Sequence, residues 1–506
     1  MQQSLKRILT VILAVGAISA AANALAETRV VIASSGELST LDPRVGVDVF
    51  SFERISVIME PLVVFALDLG LEPRLAESWE FSDDGLTLTF VLRQGVMFHH
   101  GREFTAEDVK YTFEWVLDPD NDAQNRPLYA DIESIDSPDP YTVVFNLVKP
   151  NSFLLNNIAR MPIVPADLGD DDDFGVNPVG TGPFRFESFV RDDRLVLSAF
   201  DDYWDGRAAI DTVEFRAIPE DATRLLALEA GEVDMFQGGV VPRELTRIEE
   251  DPNFNVDRTP AAGYEYLGFN LNNAPLDDVR VRQAISYLIP REAIVEQLLE
   301  GIGRPGISMI TPDMPWFNPD VKRFDYDPER AAELLAEAGF EGGGINLHLV
   351  LAEGPVNVRI AEVLQNELAQ VGIDLDITVE EFGAMLDRVI DTDDYDMFLL
   401  SWNGQLDPDR AMFRQFTTDG AFSSLVNYSN ERVDELVSQG RLVPPDSQES
   451  IEIYQEAQAI IVEEVPYAYI YYIEEVAVSR AEVQGWGAHA YNAVTYQNLH
   501  RVTVDR

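Results

Sequence analysis

Residues 345–409 read INLHLVLAEGPVNVRIAEVLQNELAQVGIDLDITVEEFGAMLDRVIDTDDYDMFLLSWNGQLDPD, and this stretch decides the fold class. Ile345 to Leu351 alternates apolar and polar residues as a half-buried strand does. Val358 to Gln370 carries apolar residues at helical spacing and stops at Gly372. Ile373, Leu375, Ile377 and Val379 alternate again, Phe382 to Ile390 suits a short helix, and Met397 to Trp402 is a buried strand. Helices between strands predict right-handed crossovers and a largely parallel sheet, hence an α/β fold. In such sheets ligands sit beyond the carboxyl ends of the strands. The loop after Trp402, Asn403-Gly404-Gln405-Leu406-Asp407-Pro408-Asp409, is therefore a binding-loop candidate.

Upstream the same half of the chain continues the pattern. Asp277 can cap a helix running to about Leu288, Pro290 can open another that stops at Gly301, and Asp327-Pro328 starts a third that ends at Gly339. The N-terminal half is richer in strands, at Thr28–Ala33, Leu86–Leu92 and Thr142–Leu147. Between them Thr105 caps a helix, Asp108 completes an acidic capping box, and Val109, Phe113 and Val116 share one face.

The first residues bear on location. Lys6 and Arg7 precede an apolar run, Ile8 to Ala22, and Ala24-Leu25-Ala26 is a small-x-small cleavage site, so residues 1–26 are expected to be a secretory signal peptide. The run is shorter than the roughly 20 residues a membrane-spanning helix needs. The chain has no cysteine, which excludes disulfides, thiolate metal sites and a lipid anchor on an N-terminal cysteine. An exported, unanchored protein of this kind is expected in a periplasm. The formal charge is -51, two units more negative once Lys6 and Arg7 are removed. Such a surface repels nucleic acid and anionic membrane, and tolerates its own repulsion best in saline surroundings. The remaining chain of about 480 residues is too long for one core and fits two or three domains.

Several motifs lose their usual meaning in context. Gly301-Ile302-Gly303-Arg304-Pro305-Gly306 spells a dinucleotide fingerprint, but it follows a helix where that fingerprint must follow a strand. His99-His100 sits in a glycine-flanked turn far from the other histidines, so a solvated or hydrogen-bonded turn is expected rather than a metal site. No Gly-x-Ser-x-Gly elbow, His-Glu-x-x-His helix or EF-hand spacing occurs. No cofactor, metal or catalytic residue is expected. Loop aromatics beside small polar residues, among them Tyr264, Tyr266, Trp316, Trp402, Trp486 and Tyr491, suit the wall of a small-molecule cleft.

A set of motifs resembles a known family in order along the chain. They are Leu41-Asp42-Pro43, Glu60-Pro61-Leu62, Leu75-Ala76-Glu77-Ser78-Trp79, and Leu92-Arg93-x-Gly95-Val96-x-Phe98-His99-x-Gly101 followed by Phe104 to Val109. Gly180 to Phe184, Tyr203-Trp204, Gly231 to Asp234, Asp278 to Ala284, Ala336 to Gly339 and Asn427 to Asn430 continue it. The chain is identified as resembling bacterial extracellular solute-binding protein family 5, the substrate-binding components of ABC transporters for oligopeptides, dipeptides, glutathione or nickel. The resemblance implies a two-lobed periplasmic binding protein fold of the type II, large three-subdomain variety, with the ligand in a cleft between lobes. By analogy, lobe I comprises 27–267 plus 483–506, with a strand-rich subdomain near 65–175, and lobe II comprises 268–482. It also implies a monomer that closes on a small polar ligand and docks on membrane permease subunits served by a separate ATPase.

The resemblance bears on the ligand as well. In peptide receptors of the family an Asp three residues after the loop Trp holds the peptide ammonium; here that position is Gln405, and Asp407 lies two further on. A neutral amide gives no charge-assisted bond to a buried ammonium. The arginine that holds a ligand carboxylate in dipeptide receptors falls near Leu351. The expected ligand is thus peptide-like, including glutathione- or opine-like compounds, with an oligosaccharide or other polar solute as the alternative and a periplasmic enzyme or chaperone behind both. Nickel is disfavoured because no histidine lies near the loop. The expected contacts are Trp402 as a stacking wall, Asn403, Gln405 as an orienting hydrogen bond and Asp407 as a charge. Tyr264 joins them near the lobe junction, and Ser34 and Ser35 from lobe I.

Overall fold

The computed structural model describes residues 28–505 apart from positions 47, 68, 122, 172, 192, 393 and 419; the expected signal segment 1–26 lies outside them. The chain opens with strand β1 (Arg29–Ser34), followed by helix α1 (Val49–Ile58), which Asp48 caps by accepting the Ser51 N–H at 2.8 Å. A separate four-stranded antiparallel sheet follows, built from β2 (Ala76–Phe81), β3 (Thr87–Leu92), β4 (Ile132–Asp139) and β5 (Thr142–Leu147) in the order β2-β3-β5-β4. Helix α2 (Ala106–Leu117) covers it, with Phe113 edge-on to Phe145 at 5.1 Å. The Asp108 carboxylate accepts the Thr105 N–H at 2.9 Å, the bond that the capping-box reading requires. A short helix, α3 (Leu154–Ile158), leads out of this unit.

The main sheet takes its strands from both halves of the chain. They are β1 with β6 (Phe184–Val190), β7 (Arg194–Ala199), β8 (Thr212–Ala217), β9 (Met235–Gln237) and β10 (Phe254–Phe269). The remainder are β11 (Ile345–Ala352), β12 (Ile373–Glu380), β13 (Met397–Trp402) and β14 (Tyr467–Arg480). The order is β12-β11-β13-β10-β14-β9-β1-β8-β7-β6, with the short strand Arg304–Pro305 pairing with β14.

The sheet is mixed, not largely parallel. β11 runs parallel to β12 and β13, and β1 parallel to β8 and β9, but every pairing of β10 and β14 is antiparallel. The crossover rule holds where helices intervene: helix α4 (Pro355–Gln370) joins β11 to β12 and buries Ile360, Leu364 and Leu368. β10 and β14 carry the chain from one lobe to the other and back, so they must run in opposite directions.

These two long strands join the lobes. Phe254 to Pro260 pairs with Arg480 to Glu474, the register then shifts, and Tyr264 to Gly268 pairs with Tyr472 to Tyr467. Beside one half lies a core of Val30, Ile32, Val213 and Phe215, to which the returning tail adds Val483, Tyr496, Leu499 and Val502. Beside the other, Tyr264, Tyr266, Phe398, Tyr467 and Tyr469 pack as rings 4.0 to 6.4 Å apart. Glu265 lies between these tyrosines in β10, 4% exposed, with Oε1 lacking any hydrogen-bond partner; burial alone pushes its carboxyl up to about 8.

The expected histidine turn is a hydrogen-bonded one. His99 approaches the Gly182 carbonyl at 2.9 Å, and burial holds it down at about 4. Gly301 and Gly303, from the apparent dinucleotide fingerprint, take φ of 83° and 97° between a π-helical turn, Ile294–Leu298, and the Arg304–Pro305 strand. No described helix is long and apolar enough to cross a membrane.

Candidate functional site

The loop after β13 is held from below. Gln405 donates its backbone N–H to the Ala262 carbonyl at 2.8 Å, and its side-chain Oε1 accepts from Gln415 Nε2 at 3.1 Å. The Tyr264 hydroxyl in turn donates to Gln415 Oε1 at 2.7 Å, completing a buried chain from β10 to the loop. Two glycines permit the close approach. A Cβ on Gly263 would stand 2.5 Å from the Trp402 carbonyl oxygen, and one on Gly404, whose φ is +66°, would stand 2.8 Å from the Tyr491 ring.

The same loop is tied to the segment around α3. Asn156 donates to Asp407 Oδ2 at 2.9 Å, and Arg160 donates from Nη2 to the Gly404 carbonyl at 3.0 Å. Arg441 bridges Asp409 at 2.7 Å and Asp131 at 3.2 Å. Burial pushes the Asp409 carboxyl up to about 7, which the Arg441 charge only partly counters.

Between these segments lies a cavity of about 150 Å³, lined by Asp48, Phe52, Tyr129, Arg160, Asn403, Arg410 and Tyr491 among others. Arg160 Nε and Nη1 and Arg410 Nε are buried without a hydrogen-bond partner. Among the described residues Arg160, Arg410 and Arg414 form no ion pair. Burial pushes Arg410 down to about 9, with Arg160 and Arg414 adding to the effect, and Arg414 down to about 10, with Arg160 adding to it; Asp407 partly counters the shift in both, and Asp409 in Arg414. Of the larger hollows, one of about 420 Å³ lies beside Lys149, Phe413 and Arg441, and two others are built differently. One, of about 400 Å³, contains Arg291, but that guanidinium is saturated by the carbonyls of Tyr469, Ser286 and Phe324. The other, of about 650 Å³, is an open groove between Gly238–Pro242 and the start of α4.

The residues named from the sequence separate into four groups. Asn403 lines the cavity, and so does Tyr491 from the set of loop aromatics. Tyr264, Gln405 and Asp407 are buried in the loop's support: Tyr264 is fully enclosed, and Asp407 accepts from both Asn156 and the Arg410 N–H. Trp402 is half-buried against Phe422, ring centres 5.1 Å apart. At the end of β1, Ser34 is buried and donates to Glu53 at 3.3 Å, while Ser35 is exposed; neither lines the cavity. Sequence reading missed Arg160, Arg410, Arg414, Phe52 and Tyr129. Arg410 stands next to the chosen loop, and in a chain with 37 basic and 88 acidic residues an arginine without a partner is informative, but pairing is invisible in sequence.

Two lobes sharing a pair of crossing strands, with a loop-lined cavity between them, define a two-lobed solute receptor. The chain belongs to the bacterial extracellular solute-binding proteins, family 5, whose model matches residues 70–424, and it is a binding protein rather than an enzyme. It is 30% identical to the dipeptide-binding protein of Escherichia coli K12 over 526 aligned residues, covering 95% of this chain and 97% of that one. To the glutathione-binding protein GsiB of the same strain it is 30% identical, covering 88% of this chain and 89% of that one. The oligopeptide-binding protein AppA of Bacillus subtilis, solved with a nonapeptide, superposes with a TM-score of 0.84 at 26% identity, covering 95% of this chain and all of that one.

Proposed function

We propose that this protein is the periplasmic receptor of an ABC importer, which captures a compact peptide-like solute by lobe closure and delivers it to a permease pair driven by a separate ATPase. The observation that carries this reading is the cavity between the Asn403–Gly404 loop and the Phe52, Tyr129 and Arg160 segments, spanned by the Asn156–Asp407 and Arg160–Gly404 bonds. Those bonds join parts of the chain about 250 positions apart, so opening the lobes breaks them and closing on a ligand forms them. The similarity to dipeptide- and glutathione-binding proteins supports a peptide-like ligand. A cavity of about 150 Å³ is below the roughly 300–1,000 Å³ of drug-sized ligand sites, which favours a small solute over an extended peptide.

In this reading the lobes follow the expected division, 27–267 with 483–506 and 268–482, except that the two crossing strands pass between them, with the register shift between Pro260 and Tyr264 as the hinge. Residues 1–26 direct export and are then removed. Asn403 and Tyr491 touch the solute; Tyr264, Gln405 and Asp407 hold the loop, and Trp402 backs it. Small-angle scattering with and without glutathione, dipeptides and short oligosaccharides tests the proposal. At least one peptide-like compound is expected to reduce the radius of gyration and raise the melting temperature. If none does both, or only oligosaccharides do, the reading fails.

A further inference from the structure

The mature surface is overwhelmingly acidic, yet the cavity wall is basic. With 88 acids against 37 bases, most arginines here find a carboxylate, as Arg441 does with Asp131 and Asp409. Arg160, Arg410 and Arg414 do not. Arg160 gives one N–H to the Gly404 carbonyl and leans on the Phe65 and Tyr491 rings, its charge 5.6 and 5.0 Å from their centres. Arg414 lies 4.7 Å over the Phe422 ring. Arg410 has no side-chain partner among the described residues.

The carboxylates nearby are already engaged. Asp48 accepts from the Ser39 hydroxyl and from the Ser51 N–H and hydroxyl as the cap of α1. Asp407 accepts from Asn156 and the Arg410 N–H, and Asp409 faces Arg441. Three like charges desolvated together oppose folding unless something compensates them.

Resting on the receptor reading above, we infer that the solute presents an oxyanion, of carboxylate or phosphate type, to the unpaired guanidiniums of Arg160 and Arg410, with Arg414 behind them. The planar guanidinium fork suits such a group. The site also answers a problem of charge: a protein this acidic repels an anion, and concentrated positive charge inside the cavity draws it in. Among the described residues lining the cavity the one carboxylate, Asp48, is taken up by Ser39 and Ser51, so the anionic end of the ligand is the one gripped.

The full chain without its signal segment tests this with inorganic phosphate, glutathione, tri-alanine and tri-alanine amide as probes. Phosphate is expected to raise the melting temperature of the parent protein but not of Arg410→Gln, with Arg410→Lys recovering part of the shift. Whichever of glutathione and tri-alanine binds loses about tenfold or more in affinity in Arg160→Gln or Arg410→Gln, and the amide binds correspondingly worse than the acid. Ligand-free Arg410→Gln is expected to melt no lower than the parent, since it removes a buried, repelled charge; a structural arginine gives the opposite. The inference is overturned if the amide binds as tightly as the acid, or if Arg410→Gln keeps its affinity within about twofold of the parent. Phosphate stabilisation through Arg410 with no organic compound closing the lobes sinks the receptor reading and leaves the oxyanion site standing. Lobe closure by the amide as readily as by the acid does the reverse.

Discussion

Replacing Glu265 by glutamine isolates the effect of one buried acid on stability. Its carboxyl lies at about 8 against an ordinary 4.5, with desolvation as the cause. The folded protein therefore keeps a proton that the unfolded chain gives up. Stability from this group is complete below about pH 4.5 and is lost as pH rises to about 8. At about 1.4 kcal/mol per pH unit, the loss across that window is on the order of 5 kcal/mol. Unfolding entropy of about 2.1 cal/mol/K per residue gives roughly 1 kcal/mol/K for about 480 residues, so the loss lowers the melting temperature by about 5 °C. Glutamine has the same shape and nothing to ionise. Calorimetry of parent and Glu265→Gln at pH 5 and pH 9 is expected to show the variant gaining about 4–5 °C more at pH 9 than at pH 5. A difference between the two proteins that is the same at both pH values refutes the reasoning, because it shows that Glu265 does not hold a proton in the fold.

Arg441→Met leaves Asp409 and Asp131 without their shared cation and is expected to cost about 3 kcal/mol at pH 8, read by thermal melts. The loss is smaller at pH 5.5, where Asp409, already raised to about 7, takes up a proton instead of standing as a buried charge. Gly263→Ala drives a methyl group against the Trp402 carbonyl and Asn403 Oδ1, at 2.5 and 2.6 Å, costing about 1–3 kcal/mol and speeding amide exchange in residues 403–407. Raising sodium chloride to about 1 M, where the Debye length is about 3 Å, is expected to raise the melting temperature, because screening weakens the self-repulsion of the -51 charge.

The elements most legible in sequence were those whose pattern and punctuation agree. Thr142–Leu147, read from alternation, and Met397–Trp402, read as a buried strand, have the expected boundaries, and Gly339, with φ of 97°, stands just past the helix Pro328–Glu337 as its stop. The cap of the Val279–Tyr287 helix is Asp278 rather than Asp277, since two adjacent aspartates give the pattern no way to choose. The expected helix from Pro290 to Gly301 divides into a short α-turn, Arg291–Ala293, and a π-turn, Ile294–Leu298. The direction of the crossing strands was hidden because their paired residues lie 199 to 226 positions apart. At the site the loop was legible from topology, but its inner and outer residues were not. Strand-end aromatics such as Tyr264 look the same on paper whether they face a cleft or a core, and the arginines' lack of partners is a three-dimensional fact.

The placement of β14 also governs how the chain can fold. It lies between β9 and β10, the segments completed at residues 237 and 269, yet it is itself complete only at residue 480. Until then each earlier segment faces a gap one strand wide, and neither half of the molecule has a finished edge. Assembly is thus a late, long-range event that nearly the whole polypeptide must await, with the slow kinetics such distant pairings bring. A chain cut short by its last forty or so residues therefore loses the keystone of both halves at once, not merely a tail.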